Sequence, residues 1–384
     1  MKRILLVLSF IVGQFALGSL SAQSWKMIIT KTDGTTEELL TSDISDISFT
    51  AQQEEQPVLP DKNADQIIIK EIYNGGCTAD DGVTHFHMDK SIIIYNNCPQ
   101  QAVVNNLCFA FVTPYNSEAN NRSYDANGKL VYEDEGFLPA LNGIWYYPHS
   151  LVLEPFAQAV INVHGAIDNT QTYSQSVNYA NDGYYCMYDP ESGYSNTRYY
   201  PTPADVIPTS HYLKTVKFGQ GNAWPFSVTS PALFIFQPQG VSPTAFATNP
   251  DNLWYAPGDA HDDVHACIKV PTEWVIDAVE VFNAAKKEEN KKRLTAEVDA
   301  GYVMLTNKLG HTLYRNVDEE MTRALSENQG KLVTGYALGV GDSTDPSGID
   351  AEASIHKGAH IIYMDTNYST EDFHERQQCS LRDK

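Results

Sequence analysis

Cysteine is sparse here and badly spaced for chemistry: six residues in a chain of 384, with no C-x-x-C pair. That spacing argues against metal clusters and redox dithiols. Basic residues are also scarce, 26 Lys and Arg against 48 Asp and Glu, which leaves a net charge of −22. A chain of that sign repels phosphate backbones and anionic lipid, so nucleic-acid binding is excluded and the charge is read first as a solubility device. No G-x-S-x-G elbow occurs, and no glycine-rich phosphate loop follows a strand-like run. Beyond residue 22 no apolar run approaches the ~20 residues a membrane helix needs.

What is present begins with an address. Residues 1–22 have a basic start (Lys2, Arg3), an apolar run from Ile4 to Leu17 and a small-residue end (Ser19, Ser21, Ala22), the pattern of a cleavable secretory signal. The expected product is an exported protein, periplasmic or on the outer membrane or cell surface. Residues 23–50 read as a β-hairpin around Asp33-Gly34, with Ile44, Ile47 and Phe49 supplying the apolar side of its second half. Residues 51–65, AQQEEQPVLPDKNAD, are polar with two prolines and read as a linker to a domain over 66–384.

That domain reads as mainly β. Ile67–Ile69, Ile92–Tyr95 and Leu107–Val112 are short β-branched and aromatic runs bounded by Asn, Gly and Pro, as expected for strands covered on both faces. If these three form an antiparallel meander, Cys98 and Cys108 fall near one end of the sheet and are the expected disulfide. Trp274–Phe282 is long enough for a helix, but its β-branched content favours a strand. NAAKKEENKKR, Asn283–Arg293, is the expected short helix, Glu319–Leu325 a second helical turn, and Ile361–Met364 the expected final strand.

Candidate sites are of two kinds. Residues 173–200 hold eight of the 22 tyrosines among Ser, Asn, Gly and Asp. Flat rings with a hydroxyl edge suit recognition of a glycan or peptide, so Tyr184, Tyr185, Tyr188, Tyr194 and Tyr199 are candidate ligand contacts; packing of the loop onto the sheet is the plain alternative. In THFHMD an extended chain would put His85, His87 and Asp89 on one face, three ligands for a divalent metal. His261 and His265 in GDAHDDVHA loosely match H-E-x-x-H, but Asp262 stands at the Glu position between Pro257 and Pro271, and a surface loop is the expected state.

Several segments carry a resemblance: EIYNGG (Glu71–Gly76), DKSIIIYNN (Asp89–Asn97), INVHGAID (Ile161–Asp168), WPFSVTSPALFIF (Trp224–Phe236), VPTEWVIDAVE (Val270–Glu280), VDAGYV (Val298–Val303) and MDTNYSTEDF (Met364–Phe373). Together they resemble an uncharacterised family of secreted Bacteroidetes proteins related to lamin-tail-type immunoglobulin-like domains. The resemblance implies an elaborate β-sandwich with long insertions, and an accessory role beside an outer-membrane nutrient or metal uptake receptor. This chain departs from the family in having Ile93 where an acidic residue is usual. Within MDTNYSTEDF, Asp365, Asn367, Ser369 and Thr370 are expected to fix a tight reversal after the last strand, and Glu71 to anchor the loop after the first. Three readings follow: a non-catalytic binding protein of the cell envelope, a metal-binding protein or metal-dependent hydrolase built on His85, His87 and Asp89, and a structural or adhesive surface component.

Overall fold

The computed structural model describes residues 25–31, 34–45 and 66–382. The expected signal, residues 1–22, and the expected linker, residues 51–65, lie outside the described residues. The chain divides into two compact units, residues 1–56 and 57–384. In the first, Lys26–Thr30 pairs antiparallel with Thr36–Leu40. The second strand therefore comes earlier than the Ile44–Phe49 pattern suggested, with Ile47 and Phe49 outside the described residues.

The second unit contains two six-stranded sheets. Their strands along the chain are β1 (Ile67–Tyr73), β2 (Lys90–Asn96), β3 (Cys108–Phe111), β4 (Gly143–Tyr146), β5 (Gln158–His164), β6 (Tyr185–Cys186), β7 (Lys214–Lys217), β8 (Ala232–Phe236), β9 (Val275–Asn283), β10 (Val303–Leu305), β11 (Thr312–Arg315) and β12 (Phe373–Arg376). One sheet runs β6-β5-β2-β1-β11-β12 and the other β7-β4-β3-β8-β9-β10.

Strand alternation explains the sandwich. Ile67, Ile69, Ile72, Ile92 and Ile94 of one sheet share a core with Phe109, Phe111, Leu233, Ile235, Val279 and Val281 of the other. Their strand neighbours point away and are covered too. Cys108, Ala110, Phe234 and Phe236 pack under a second layer that includes Phe246 of the Pro243–Ala247 helix. Ile68 and Tyr95 pack against Ile349, Ile361 and Tyr363. Burial on both faces is why these strands read as unbroken apolar runs rather than alternating ones.

The meander of three is corrected. β1 and β2 pair antiparallel, but β3 crosses into the facing sheet between β4 and β8. Cys98, after β2, and Cys108, opening β3, thus belong to different sheets, and no disulfide joins them; Cys108 is fully buried with its Sγ donating to Asn106 O at 3.1 Å. The helix expected over Asn283–Arg293 is also absent. β9 extends to Asn283, and only 3-10 turns follow over Ala284–Glu289, broken by a non-helical Lys286. Arg293 is drawn inside instead, its Nη2 2.7 Å from Glu280 Oε1 with both side chains fully buried. Val275–Asn283 is a strand and Glu319–Ala324 a helix, as the residues indicated.

The motif MDTNYSTEDF leads into the last strand rather than out of it. Ile361–Met364 forms only a bridge, Val317 to Tyr363, and the closing strand is β12. Asp372 ties the reversal, accepting from Thr366 N at 2.9 Å and from Thr366 Oγ1 at 2.8 Å, while Asp365 accepts from Arg315 Nη1 at 3.0 Å. VDAGYV locks onto the same turn. Ser369 N donates to Asp299 Oδ1 at 2.9 Å, and a Cβ on Gly301 would sit 2.7 Å from Thr370 N. Glu71 does not anchor the following loop: it lies beside a bulge in β1 and accepts from Ser380 N at 2.9 Å, close to the end of the chain.

Candidate functional site: a basic cluster at the end of the β2–β5 pair

Of the eight tyrosines in the tyrosine-rich segment, four are buried and four partly exposed. Tyr194 stacks on Trp145 with ring centroids 5.8 Å apart and donates to Asn142 O at 3.1 Å. Tyr185 packs edge-on to Tyr147 at 5.0 Å, Tyr188 edge-on to Tyr212 at 5.5 Å, and Tyr184 is buried with Tyr73, Ile93 and Val160. None of the eight is exposed. Burial of Tyr184 and Tyr194 corrects the ligand-gripping role expected of those two, while Tyr185 and Tyr188 pack on neighbouring rings and keep partly exposed surface. Tyr199, partly exposed like Tyr185 and Tyr188, has its hydroxyl 3.1 Å from His87 Nε2.

The metal triad is likewise taken apart. The chain is extended only over His85–Phe86 and turns at His87 and Met88, so the alternation needed to align His85, His87 and Asp89 is lost. His85 Nε2 lies 2.7 Å from Gly75 O. Asp89 is fully buried elsewhere, accepting from Tyr73 OH at 2.9 Å, and burial pushes its carboxyl up to about 6 despite that bond. Among the described residues no group of three His, Cys, Asp or Glu is placed to hold a metal ion. His261 stacks on Tyr255 at 4.3 Å, and His265 Nδ1 lies 2.7 Å from Asp262 in an exposed loop.

In place of a metal site the structure assembles a buried basic cluster. Lys90 opens β2 and His164 ends β5, directly opposite one another across the antiparallel pair. A register shift between Asn162 and His164 re-aims the histidine. Both side chains are buried, Lys90 at 2% exposure and His164 at 1%. Lys90 Nζ donates to Phe226 O and lies 5.7 Å from the centre of the Phe226 ring. Neither nitrogen of His164 makes a hydrogen bond of ordinary geometry, though the Trp224 backbone acts weakly on it; the ring meets Tyr199 edge-on at 4.9 Å and Tyr200 at 5.3 Å.

The electrostatics are one-sided. Burial alone brings Lys90 down to about 7. Burial, then Lys90 and His87, hold His164 well below the usual imidazole range. His87 is lowered by burial and then by Lys90, His85 and Arg198, and His85 by burial and then, beyond a raising bond to Gly75, by Lys308 and Lys90. The groups acting on these four are cations and backbone, with no carboxylate among them. Asp89, next to Lys90 in sequence, faces Tyr73 instead. In a chain of net charge −22 this is a concentrated basic spot with unmatched donors, and strongly perturbed groups brought together mark functional sites. The sequence carried two faint signals of it: a lysine and a histidine capping otherwise apolar strands.

A family model described as "Protein of unknown function (DUF4876)" matches residues 154–380. The match includes INVHGAID and MDTNYSTEDF but begins after EIYNGG and DKSIIIYNN. The chain is similar in fold to the crystal structure of a DUF4876 family protein from Bacteroides thetaiotaomicron VPI-5482, with a TM-score of 0.57 and 20% identity over 80% of this chain and 70% of that one. No curated protein matches the chain.

Proposed function

Because the chain belongs to the DUF4876 family, whose function is unknown, we propose from its own geometry that it is an exported, non-catalytic binding protein of the cell envelope that holds the anionic group of a ligand between Lys90, His164, His87 and Tyr199. The signal-like residues 1–22 support export, and the motifs quoted above support a lamin-tail-like domain that accompanies an uptake receptor. The observation that carries the binding reading is the pairing of buried Lys90 with buried His164, with no carboxylate among the groups that act on either. A buried charge without a counterion is costly, and an acid group on a ligand removes that cost. The ammonium form of Lys90 binds an anion and the neutral amine does not. Affinity is therefore expected to weaken as pH rises above about 7.

Calorimetry with citrate, sulfate and inorganic phosphate at pH 6 and pH 8.5 tests this. The reading requires that at least one anion bind the wild type, more tightly at pH 6, and that Lys90→Met remove the binding. Absence of binding by all three, or equal binding by the variant, overturns it.

A further inference from the structure

A second buried lysine sits in surroundings of another kind. Lys70 is fully buried at the bulge in β1, between Ile69 and Glu71. Its Nζ lies 2.8 Å from Gln158 Oε1 and 2.7 Å from Glu352 Oε1. The rings of Tyr95, Tyr314 and Tyr363 surround it, with centres 5.8, 5.4 and 5.7 Å from the nitrogen. Glu352, on the Ala351–His356 helix, also accepts from Tyr314 OH at 2.8 Å, and Tyr314 OH lies 2.9 Å from Tyr363 OH.

Three parts of an acyl transfer are thus in one place: an amine, a primary carboxamide and a carboxyl touching the amine. We propose that Lys70 and Gln158 form an intramolecular amide bond, with Glu352 moving the proton. Lys70 stands on β1 and Gln158 on β5, the two strands that flank β2, so the bond would staple three strands of one sheet.

The step balances without a redox partner. Glu352 takes a proton from the Lys70 ammonium, and the freed amine adds to Gln158 Cδ. The Cδ–Nε2 bond then breaks as Nε2 takes one proton from Glu352 and one from the added Lys70 nitrogen, so that ammonium leaves and Glu352 is again a carboxylate. In the resting pair Lys70 and Arg376 outweigh burial and hold the Glu352 carboxyl down to about 2, so the reaction proceeds from the minor neutral pair. A bond made once in a protein's lifetime tolerates a slow step. Two features favour it. The nucleophile already touches the carbonyl oxygen, so Cδ is one bond away and only a small shift gives attack geometry. The aromatic enclosure limits competing water, while the partial exposure of Gln158 gives ammonia a way out.

Mass spectrometry of the purified mature chain tests the proposal. Proteolysis is expected to yield the Lys70 and Gln158 peptides joined as one species, lighter than their sum by one ammonia. Glu352→Gln is expected to give the two peptides separately, with the loss of ammonia abolished or strongly slowed. Separate, unmodified peptides from wild type incubated for days after folding overturn the bond, and joined peptides in Glu352→Gln at the wild-type rate overturn the role of Glu352. Should Glu352→Gln fail to fold, the wild-type map alone decides.

Discussion

Arg315 of β11 and Asp277 of β9 join the two sheets through a buried ion pair, Arg315 Nη2 on Asp277 Oδ2. The same guanidinium donates Nε to Ile69 O at 2.8 Å and Nη1 to Met364 O at 2.8 Å and Asp365 at 3.0 Å. It also lies over the Phe373 ring at 4.5 Å. Burial raises Asp277 to about 7 against the pull of Arg315, while Asp277, Asp365 and Asp372 hold the guanidinium charged.

Removing one partner leaves the other charge buried, so Arg315→Met is expected to destabilise the protein by about 3–5 kcal/mol. Urea unfolding monitored by tryptophan fluorescence measures this. A loss below about 1 kcal/mol would show that solvent reaches the site.

Lys90 carries the opposite sign. Its folded value is near 7 and its ordinary value near 10.5. Between these pH values the unfolded chain binds the extra proton, so the cost of Lys90 is absent above 10.5, grows as pH falls and is complete below 7. Lys90→Met is therefore expected to stabilise the ligand-free protein by about 1–4 kcal/mol at pH 6 and to change it little at pH 11. Urea midpoints at the two pH values check the sign.

Asp89 gives a second pH window. Its folded carboxyl titrates near 6 against an ordinary 3.8. Here the folded state holds the proton longer, so stability falls as pH rises from about 4 to 6. Asp89→Asn should leave stability at pH 3.5 nearly unchanged and raise it at pH 7 by on the order of 2 kcal/mol, read from denaturation curves at each pH.

Gly301 tests the interlock of the two motifs. A methyl there would meet Thr370 N at 2.7 Å and Tyr368 Cδ2 at 2.8 Å. Gly301→Ala is expected to cost about 1–3 kcal/mol and to speed amide exchange over residues 364–372. Unchanged exchange there would dissociate the two segments.

Strand existence was legible because Ile67–Ile69, Ile92–Tyr95 and the ALFIF of β8 keep their β-branched and aromatic character whatever packs on them. Which sheet each strand joins was not: nothing local distinguishes β3 from a third meander strand, since Phe109 and Phe111 are apolar in either place. NAAKKEENKKR misled because its high helix propensity is overridden by the burial of Arg293 against Glu280. THFHMD misled because a turn at His87 breaks a periodicity that sequence spacing assumes. The basic cluster was nearly invisible, since Lys90 and His164 lie 74 positions apart and meet only through the β2–β5 register.

β1 opens the large unit, yet its pairing with β11 and the seat of Ser380 on Glu71 are supplied by the last quarter of the chain. The sheet therefore cannot close until the segment through residue 380 is available, and contacts so distant along the chain fold slowly. A nascent chain would keep the β1 edge open until residues 312–380 have been made, and removal of the segment around Ser380 would remove the latch.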